Sequence, residues 1–187
     1  LFRSDEENVV PMWVLDLASV EEAATLTGHK DRVYALAVDV HNSLNVYSGG
    51  IDRMLKLWDL ETGVNVTTVS AHRGGVHVLC TNENSIFAGQ GDHTVALWDC
   101  RSQAYQSTLS GHDGSIWSLC VDGDRLYSGS YDNTIKCWDL RKMECMATLE
   151  GHISSIYDLV TCGSDMLVSA SWDRTIRMWN TQTWEEM

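Results

Sequence analysis

The chain has 187 residues, of which 44% are hydrophobic and one is proline, and its 26 acidic and 13 basic side chains give a formal net charge of −13. This composition is typical of a globular domain and argues against a disordered or fibrous chain. The acidic balance, without any cluster of Lys and Arg, argues against nucleic acid or an anionic membrane surface as a partner. No apolar stretch approaches the roughly 18 residues of a membrane span.

The N-terminal residues Leu1–Glu7 lack the basic-then-apolar pattern of a signal peptide. We expect an intracellular protein, cytoplasmic or nuclear, because the six cysteines lack a disulfide pattern and so indicate a reducing compartment. An initiator methionine is also absent, which leads us to expect a fragment of a longer protein.

A tryptophan followed by Asp or Asn recurs along the chain at intervals of 40, 40 and 41 residues. A histidine, usually preceded by glycine, lies 14 residues after each of the first three tryptophans, and one more precedes the first tryptophan. The histidine pairs are Gly28-His29, Ala71-His72, Gly111-His112 and Gly151-His152, and the tryptophan pairs are Trp58-Asp59, Trp98-Asp99, Trp138-Asp139 and Trp179-Asn180. Self-similarity at this period indicates a repeat architecture.

Each repeat is a series of short segments with strand character, and no segment has a helical period over a useful length. In the third repeat these segments are Ile116–Cys120, Arg125–Gly129, Thr134–Trp138 and Cys145–Leu149. The first three are separated by Asp122-Gly123-Asp124 and Tyr131-Asp132-Asn133, which have the composition of tight turns. We therefore predict four antiparallel strands per repeat, as in the blade of a propeller.

In these motifs and in unit length, the chain resembles the WD-repeat family from roughly Val20 to Asn180. The resemblance implies an all-β fold, a β-propeller built of four-stranded antiparallel blades. We predict one domain over residues 1–187, with repeats at about 20–60, 61–100, 101–140 and 141–182. The stretch Val14-Leu15-Asp16-Leu17 resembles the degenerate end of one more blade, so residues 9–19 are predicted to be the remnant of a preceding blade.

Four repeats and a remnant are fewer than the roughly seven blades common in this family. No fourth strand is evident between Trp179 and Met187, and the first unit lacks its first strands. We therefore expect an open arc of about four blades plus a partial one. Two alternatives stay open, a small ring closed by a strand around Val20–Leu26 and an assembly of two arcs.

The repeats also place Ser, His and Asp at fixed intervals, which is the composition of a hydrolase triad. A single active site has no use for several copies of one triad, whereas a buried indole N–H, a hydroxyl, an imidazole and a carboxylate can satisfy one another. We interpret these residues as structural tetrads, as the family resemblance also implies, and predict no catalytic residue. They are His29, Ser48, Asp52 and Trp58; His72, Asp92 and Trp98, with Ala88 in place of serine; His112, Ser128, Asp132 and Trp138; and His152, Ser169, Asp173 and Trp179.

Two classes of position often contact partners in the WD-repeat family. One is the residue after the Val or Ile that opens each inner strand, and the other is the residue immediately before each tetrad aspartate. Here these positions are rich in aromatic side chains, which dominate interface hot spots, although the same side chains could simply pack against adjacent blades. Neither class contains an arginine that would clasp a phosphate, but Arg32 and Arg73 lie nearby. The predicted partner-binding residues are Arg32, Tyr34, His77, Trp117, Tyr131, Tyr157 and Trp172.

We predict a non-catalytic scaffold or adaptor that binds other proteins or peptides through the rim of the propeller. The alternative is the substrate-receptor or targeting domain of a larger enzyme, such as a ubiquitin ligase or a kinase. No metal, cofactor, nucleic acid, membrane or small-molecule substrate is expected.

The six cysteines include no Cys-x-x-Cys pair, and most occupy positions where other repeats carry Leu, Val or Met. We therefore expect small buried hydrophobic side chains instead of disulfides or metal ligands. The six are Cys80, Cys100, Cys120, Cys137, Cys145 and Cys162.

Overall fold

The computed structural model of the chain describes residues 10–16, 21–70, 73–163 and 165–187. Within these ranges the fold is all-β, with seventeen strands and no helix long and apolar enough to cross a membrane. The strands are β1 (Val10–Asp16), β2 (Glu21–His29), β3 (Val33–Val38), β4 (Asn45–Gly50), β5 (Leu55–Asp59), β6 (Asn65–Val69), β7 (Val76–Thr81), β8 (Ser85–Gln90), β9 (Thr94–Asp99), β10 (Tyr105–Ser110), β11 (Ile116–Asp122), β12 (Arg125–Ser130), β13 (Ile135–Asp139), β14 (Glu144–Leu149), β15 (Ile156–Cys162), β16 (Met166–Ser171) and β17 (Ile176–Asn180).

The strands form five antiparallel sheets in which chain neighbours pair with one another. Strands β3–β6, β7–β10 and β11–β14 make three four-stranded blades, and β15–β17 make a three-stranded one. Beside β17, the N–H of Asn180 donates to the carbonyl of Glu185 at 2.9 Å and the N–H of Met187 to that of Met178 at 2.9 Å. The last blade therefore has the beginning of a fourth strand, which the sequence did not suggest.

Strand β1 pairs with β2 in a separate two-stranded sheet, with Trp13 opposite Thr25. A strand thus occupies residues 10–16 of the predicted remnant, whereas Leu17 lies outside the described residues. Strand β2 bonds to β1 and not to the last blade, so the alternative of a small ring closed by this segment is wrong for the described chain. The sheets form an open arc, as predicted.

The apolar core lies between successive blades, where the face of one sheet packs on the next. Each of three clusters combines residues from the second and third strands of one blade with residues from the first two strands of the following blade. The first contains Tyr47, Leu55, Leu57, Val76, Leu79 and Ile86; the second contains Phe87, Val95, Leu97, Ile116, Leu119 and Leu126; the third contains Tyr127, Ile135, Cys137, Ile156, Leu159 and Leu167. The repeat therefore stabilises the arc through nearest-neighbour contacts.

All six cysteines are free, but they are not uniformly buried. Cys100 and Cys137 are buried and Cys80 and Cys120 are half-buried, as expected for small hydrophobic side chains, whereas Cys145 and Cys162 are exposed. The expectation of burial is wrong for these two because Cys145 lies on the outer strand β14 and Cys162 ends β15, beyond the inter-blade packing.

Glycines in the second strands of the four-stranded blades allow the next blade to approach closely. A Cβ atom added at Gly89 would lie 2.7 Å from Cγ2 of Ile116, and one added at Gly129 would lie 2.6 Å from Cγ2 of Ile156. Gly49 stands in the same relation to Val76. The residues that open β7, β11 and β15, namely Val76, Ile116 and Ile156, thus pack directly on the backbone of the preceding blade.

Replacing Gly129 with alanine should destabilise the arc, because the new methyl group would lie against Oγ of the buried Ser118 and 2.6 Å from Cγ2 of the buried Ile156, so that both side chains must shift. We expect a loss of about 1–3 kcal/mol in the free energy of unfolding, the usual cost of overpacking a core. Urea denaturation followed by tryptophan fluorescence measures it. Ala170 holds the corresponding position in the last blade, so Ala170→Gly is the matched control and should cost no more than about 1 kcal/mol. Equal stability of Gly129→Ala and the unmodified chain would contradict this account.

Candidate protein-binding surface

The first, third and fourth blades each contain a continuous hydrogen-bonded tetrad. The tryptophan Nε1–H donates to the serine Oγ at 2.7–2.9 Å, the serine Oγ lies 2.7–2.8 Å from the histidine Nε2, and the histidine Nδ1 lies 2.6–2.8 Å from an aspartate oxygen. Because the indole can only donate, the serine hydroxyl is left to donate to Nε2, and Nδ1–H donates to the carboxylate. The three sets are His29, Ser48, Asp52 and Trp58; His112, Ser128, Asp132 and Trp138; and His152, Ser169, Asp173 and Trp179.

Each tetrad aspartate also holds the connector that enters the blade. Asp132 accepts the backbone N–H of Asp113, directly after the tetrad histidine, at 2.9 Å and that of Thr134 at 2.9 Å. Ser128, which lies at the other end of this hydrogen-bonded tetrad, is fully buried, as are its counterparts Ser48 and Ser169. The hydroxyl of Ser128 is therefore closed to solvent and is engaged with the indole of Trp138 and the imidazole of His112.

The second blade differs at the serine position. Ala88 is fully buried and offers no hydroxyl. Asp92 accepts the hydroxyl of Thr94 at 2.7 Å, and Trp98 is buried with its ring edge-to-face on Tyr105 at 5.3 Å. His72, the predicted histidine of this blade, lies outside the described residues.

The first class of predicted partner-binding positions coincides with a β-bulge in every inner strand. The pairing register shifts between Val33 and Ala35, and the same shift recurs in β7, β11 and β15. The residues in the four bulges are Tyr34, His77, Trp117 and Tyr157. A β-bulge inserts a residue that has no partner on the neighbouring strand, and it redirects the side chain of that residue. The bulge is therefore the local reason why these side chains stand at the rim.

A repeated backbone hydrogen bond joins the second class of positions to the first. In each blade, the residue before the tetrad aspartate donates its N–H to the carbonyl of the residue two positions before the bulge residue. These bonds run from Ile51 to Arg32 at 2.9 Å, from Gly91 to Gly75 at 2.9 Å, from Tyr131 to Ser115 at 2.8 Å and from Trp172 to Ser155 at 2.9 Å. The turn after the second strand is thereby held against the start of the inner strand.

Five of the predicted partner-binding side chains form one continuous row, which we call the aromatic ladder: Tyr34, His77, Trp117, Tyr157 and Trp172. The rings of His77 and Trp117 stack at 4.3 Å with an interplanar angle of 16°. Tyr34 lies 5.9 Å from His77 and 6.5 Å from Trp117. Tyr157 lies 5.7 Å from Trp117 and 5.7 Å from Trp172. The ladder therefore crosses the inner strands of all four blades.

The ladder borders a shallow depression of about 240 Å³. Trp172, Tyr157 and Tyr34 are 72%, 45% and 42% exposed, while His77 and Trp117 are half-buried at its centre. Burial lowers the pKa of His77.

Two predicted residues lie at the same end of the arc but outside the row. Tyr131 is exposed on the turn between β12 and β13, and Arg32 is exposed just before β3. Sequence reasoning missed Leu36 and Asp158, which line the depression with the ladder. Their position just beyond a bulge residue is the signal that could have found them. Among the described residues, no group of His, Cys, Asp and Glu could hold a metal ion.

Removing the hydroxyl of Ser128 should destabilise the third blade, because it leaves the buried Trp138 N–H without its acceptor and His112 without its donor. An unsatisfied buried polar group costs about 1–3 kcal/mol, so Ser128→Ala should lower the free energy of unfolding by at least that amount. Urea denaturation measures the loss. The matched control is Ser110→Ala, at an exposed position on β10, which should change stability by less than about 0.5 kcal/mol. If Ser128→Ala behaved like this control, the tetrad would have no stabilising role.

The tetrads should also make the fold sensitive to acid. Burial opposes ionisation of Asp132, but hydrogen bonds from His112 and Thr134 outweigh it and hold its pKa well below the usual range; Asp173 behaves likewise with Thr175 and His152. Burial lowers the pKa of His29 despite the neighbouring Asp52.

Both shifts mean that the unfolded chain binds protons more tightly than the folded one. The contribution of His29 should be complete above about pH 6.5 and decline below it, and that of the two aspartates should be complete above about pH 4 and be lost as the pH falls further. Urea denaturation at several pH values should show stability declining over both ranges. Asp132→Asn should flatten the decline below pH 4, and an unchanged slope in this variant would refute the assignment.

The four repeats match a family model described as "WD domain, G-beta repeat" at residues 21–59, 63–99, 103–139 and 143–180. Over 61 residues, or 33% of this chain, the sequence is 43% identical to kinesin-related protein 8 of Dictyostelium discoideum. It is 43% identical over 58 residues to autophagy-related protein 16 of Arabidopsis thaliana and 38% identical over 58 residues to DDB1- and CUL4-associated factor 13 of Pongo abelii, each match spanning 31% of this chain. The matches cover 3%, 11% and 13% of these three relatives, so a segment of about a third of this chain corresponds to a small part of each.

Solved structures share the fold, and two of them illustrate it. The structure of U3-55K superposes with a TM-score of 0.81 at 21% identity, over 87% of this chain and 53% of that one. The computationally designed Ika4 protein superposes with a TM-score of 0.74 at 29% identity, over 82% of this chain and 93% of that one. With four family repeats across most of its length and blades of the expected topology, the chain belongs to the WD40 repeat family.

Proposed function

We propose that this chain is a non-catalytic interaction scaffold that binds partner proteins or peptides at the rim of the arc, through the aromatic ladder. One observation carries the proposal. Five rings from four blades form a continuous row, and three of them keep more than two fifths of their surface open to solvent. Aromatic side chains around a shallow depression are typical of interface hot spots.

The environment of the ladder favours a macromolecular partner over a small molecule. The depression is open and shallow, whereas small-molecule sites usually enclose most of their ligand. Tyr131 and Arg32 extend the exposed surface beyond the row and are proposed as peripheral contacts. The net charge of −13 disfavours nucleic acid and anionic membranes, so we propose protein partners. From its free cysteines we propose that the protein acts inside the cell, in the cytoplasm or the nucleus.

The tetrads have a different role in this proposal. Their polar side-chain atoms form hydrogen bonds with one another and with the connector that enters each blade, and their serines are buried from solvent. We assign them to stability alone. The buried residues repeat from blade to blade, while the rim residues vary, which is the division of labour expected of a scaffold that presents a specific surface on a regular frame.

A second candidate function is that of a substrate-receptor domain within a larger enzyme assembly. The match to DDB1- and CUL4-associated factor 13 favours it, because that protein is by name associated with DDB1 and CUL4. Both functions use the same binding surface and differ in what is attached to the arc. Co-purification with a ubiquitin-ligase subunit would support the second candidate.

Truncating the exposed rings of the ladder should weaken binding of a partner without unfolding the arc. A photo-crosslinking amino acid at position 131 would first identify proteins that contact this rim, and isothermal titration calorimetry with the purified partner would then give its Kd. Trp172→Ala and Tyr157→Ala should each raise Kd at least tenfold, the effect of losing a hot-spot side chain. Met146→Ala, at an exposed position on the outer strand β14, is the control and should leave Kd unchanged. Unaltered Kd in both ladder variants, with unfolding midpoints like that of the unmodified chain, would overturn the proposal.

A further inference from the structure

We propose that Gly91 is a positioning residue of the aromatic ladder: because Gly91 has no side chain, the ring of His77 can lie against it and stack on Trp117. This inference rests on the proposed function and assigns a residue that shapes the binding surface without belonging to the row of rings. It is carried by the space beside Gly91, by the hydrogen bonds that hold its backbone and by the stack of the two rings.

The space beside Gly91 is taken by the imidazole of His77. Gly91 precedes the aspartate of the second blade, at the position where the other blades carry Ile51, Tyr131 and Trp172. A Cβ atom added at Gly91 would lie 3.1 Å from Cε1 and 3.3 Å from Nε2 of His77, which is closer than ordinary van der Waals contact. Even alanine would therefore crowd the imidazole, and a larger side chain would need the space that the ring occupies.

The backbone conformation of Gly91 does not itself require glycine. Its φ angle lies outside the left-handed region that favours glycine, whereas Gly123, in the turn between β11 and β12, has a φ of 56°. The absence of a side chain at Gly91 is therefore explained by the neighbouring ring and not by the shape of the turn.

Hydrogen bonds to two blades hold the backbone of Gly91 in place. Its N–H donates to the carbonyl of Gly75 in the same blade at 2.9 Å. Its carbonyl accepts the hydroxyl of Ser115, which directly precedes the inner strand of the third blade, at 3.2 Å. The turn could withdraw from a new side chain only by breaking these bonds, so we expect the imidazole of His77 to move instead.

The imidazole of His77 links the rings on either side of it. It stacks on Trp117 with the centroids 4.3 Å apart and an interplanar angle of 16°, and the edge-to-face contact with Tyr34 spans 5.9 Å. His77 and Trp117 are half-buried and both line the depression. Displacing the imidazole would therefore interrupt the ladder at its centre and change the shape of the surface that a partner meets.

NMR spectra of the full chain test the position of the ring without any partner. The ring protons of His77 lie over an indole and should resonate upfield of those of exposed His93 in the same spectrum. Gly91→Ile, which introduces the side chain of the first blade, should move the His77 signals towards those of His93, and Gly91→Ala should move them less. His77→Ala identifies the signals by removing them. Gly91→Ala provides the same test if Gly91→Ile does not fold.

Binding of the partner identified by crosslinking at position 131 tests the consequence for the surface. Gly91→Ile and His77→Ala should each raise Kd about tenfold, the effect of disrupting a hot spot. In a chain that already carries His77→Ala, Gly91→Ile should raise Kd no further, because Gly91 acts through that ring. Met146→Ala is the control and should leave Kd unchanged.

His77 signals that stay in place in Gly91→Ile would overturn this inference, and so would a further rise in Kd when Gly91→Ile is added to His77→Ala. An unchanged Kd in Gly91→Ile, with binding still weakened by Trp172→Ala, would overturn it as well, because the stack would then have no part in the contact. Failure of the proposed function gives a different result: neither Trp172→Ala nor Gly91→Ile would alter Kd, although the His77 signals would still move in Gly91→Ile.

Discussion

The structure depends on how a buried indole satisfies its single N–H group. In three blades the tryptophan that ends the third strand is almost fully enclosed, and its N–H can be satisfied only by a neighbouring acceptor. A serine of the adjacent strand supplies that acceptor and passes the chain of bonds through a histidine to an aspartate. The aspartate in turn holds the backbone of the connector between blades. Burial of one apolar ring thus dictates the path of the polypeptide some twenty residues away in sequence.

The hydrogen bonds of the tetrads also explain how the predicted partner-binding residues are positioned. The residue that precedes each tetrad aspartate is bound through its N–H to the start of the inner strand, immediately before the bulge. Hydrogen bonds that hold the aspartate in place therefore also hold the turn that carries Trp172. The ring of Trp172 lies 5.7 Å from that of Tyr157. The frame that keeps the blades folded and the surface that we propose for partners are in this way adjacent parts of one hydrogen-bonded framework.

Much of this organisation could be predicted from the sequence. The period of the Gly-His and Trp-Asp motifs indicated repeats, and the short strand-like segments separated by turn residues indicated four antiparallel strands per repeat. Contacts that depend on three-dimensional twist could not be predicted. The stacking of His77 on Trp117 brings together residues of two neighbouring blades that are 40 positions apart in sequence, and no local pattern indicates such a contact. Residues 185–187 have too little strand character to predict their pairing with β17, and the exposure of Cys145 depends on its place on an outer strand.

The aromatic ladder crosses the interfaces that hold successive blades together. Each blade is stabilised chiefly by the blades on either side, and in such arrays separate interfaces can open independently. A ligand bound along the aromatic ladder would contact the inner strands of four blades at once, so it would link the blades across three interfaces. A ligand that binds only the assembled blades adds its binding free energy to their stability. With the ligand bound, the blade interfaces that otherwise open separately would unfold together, in one cooperative transition.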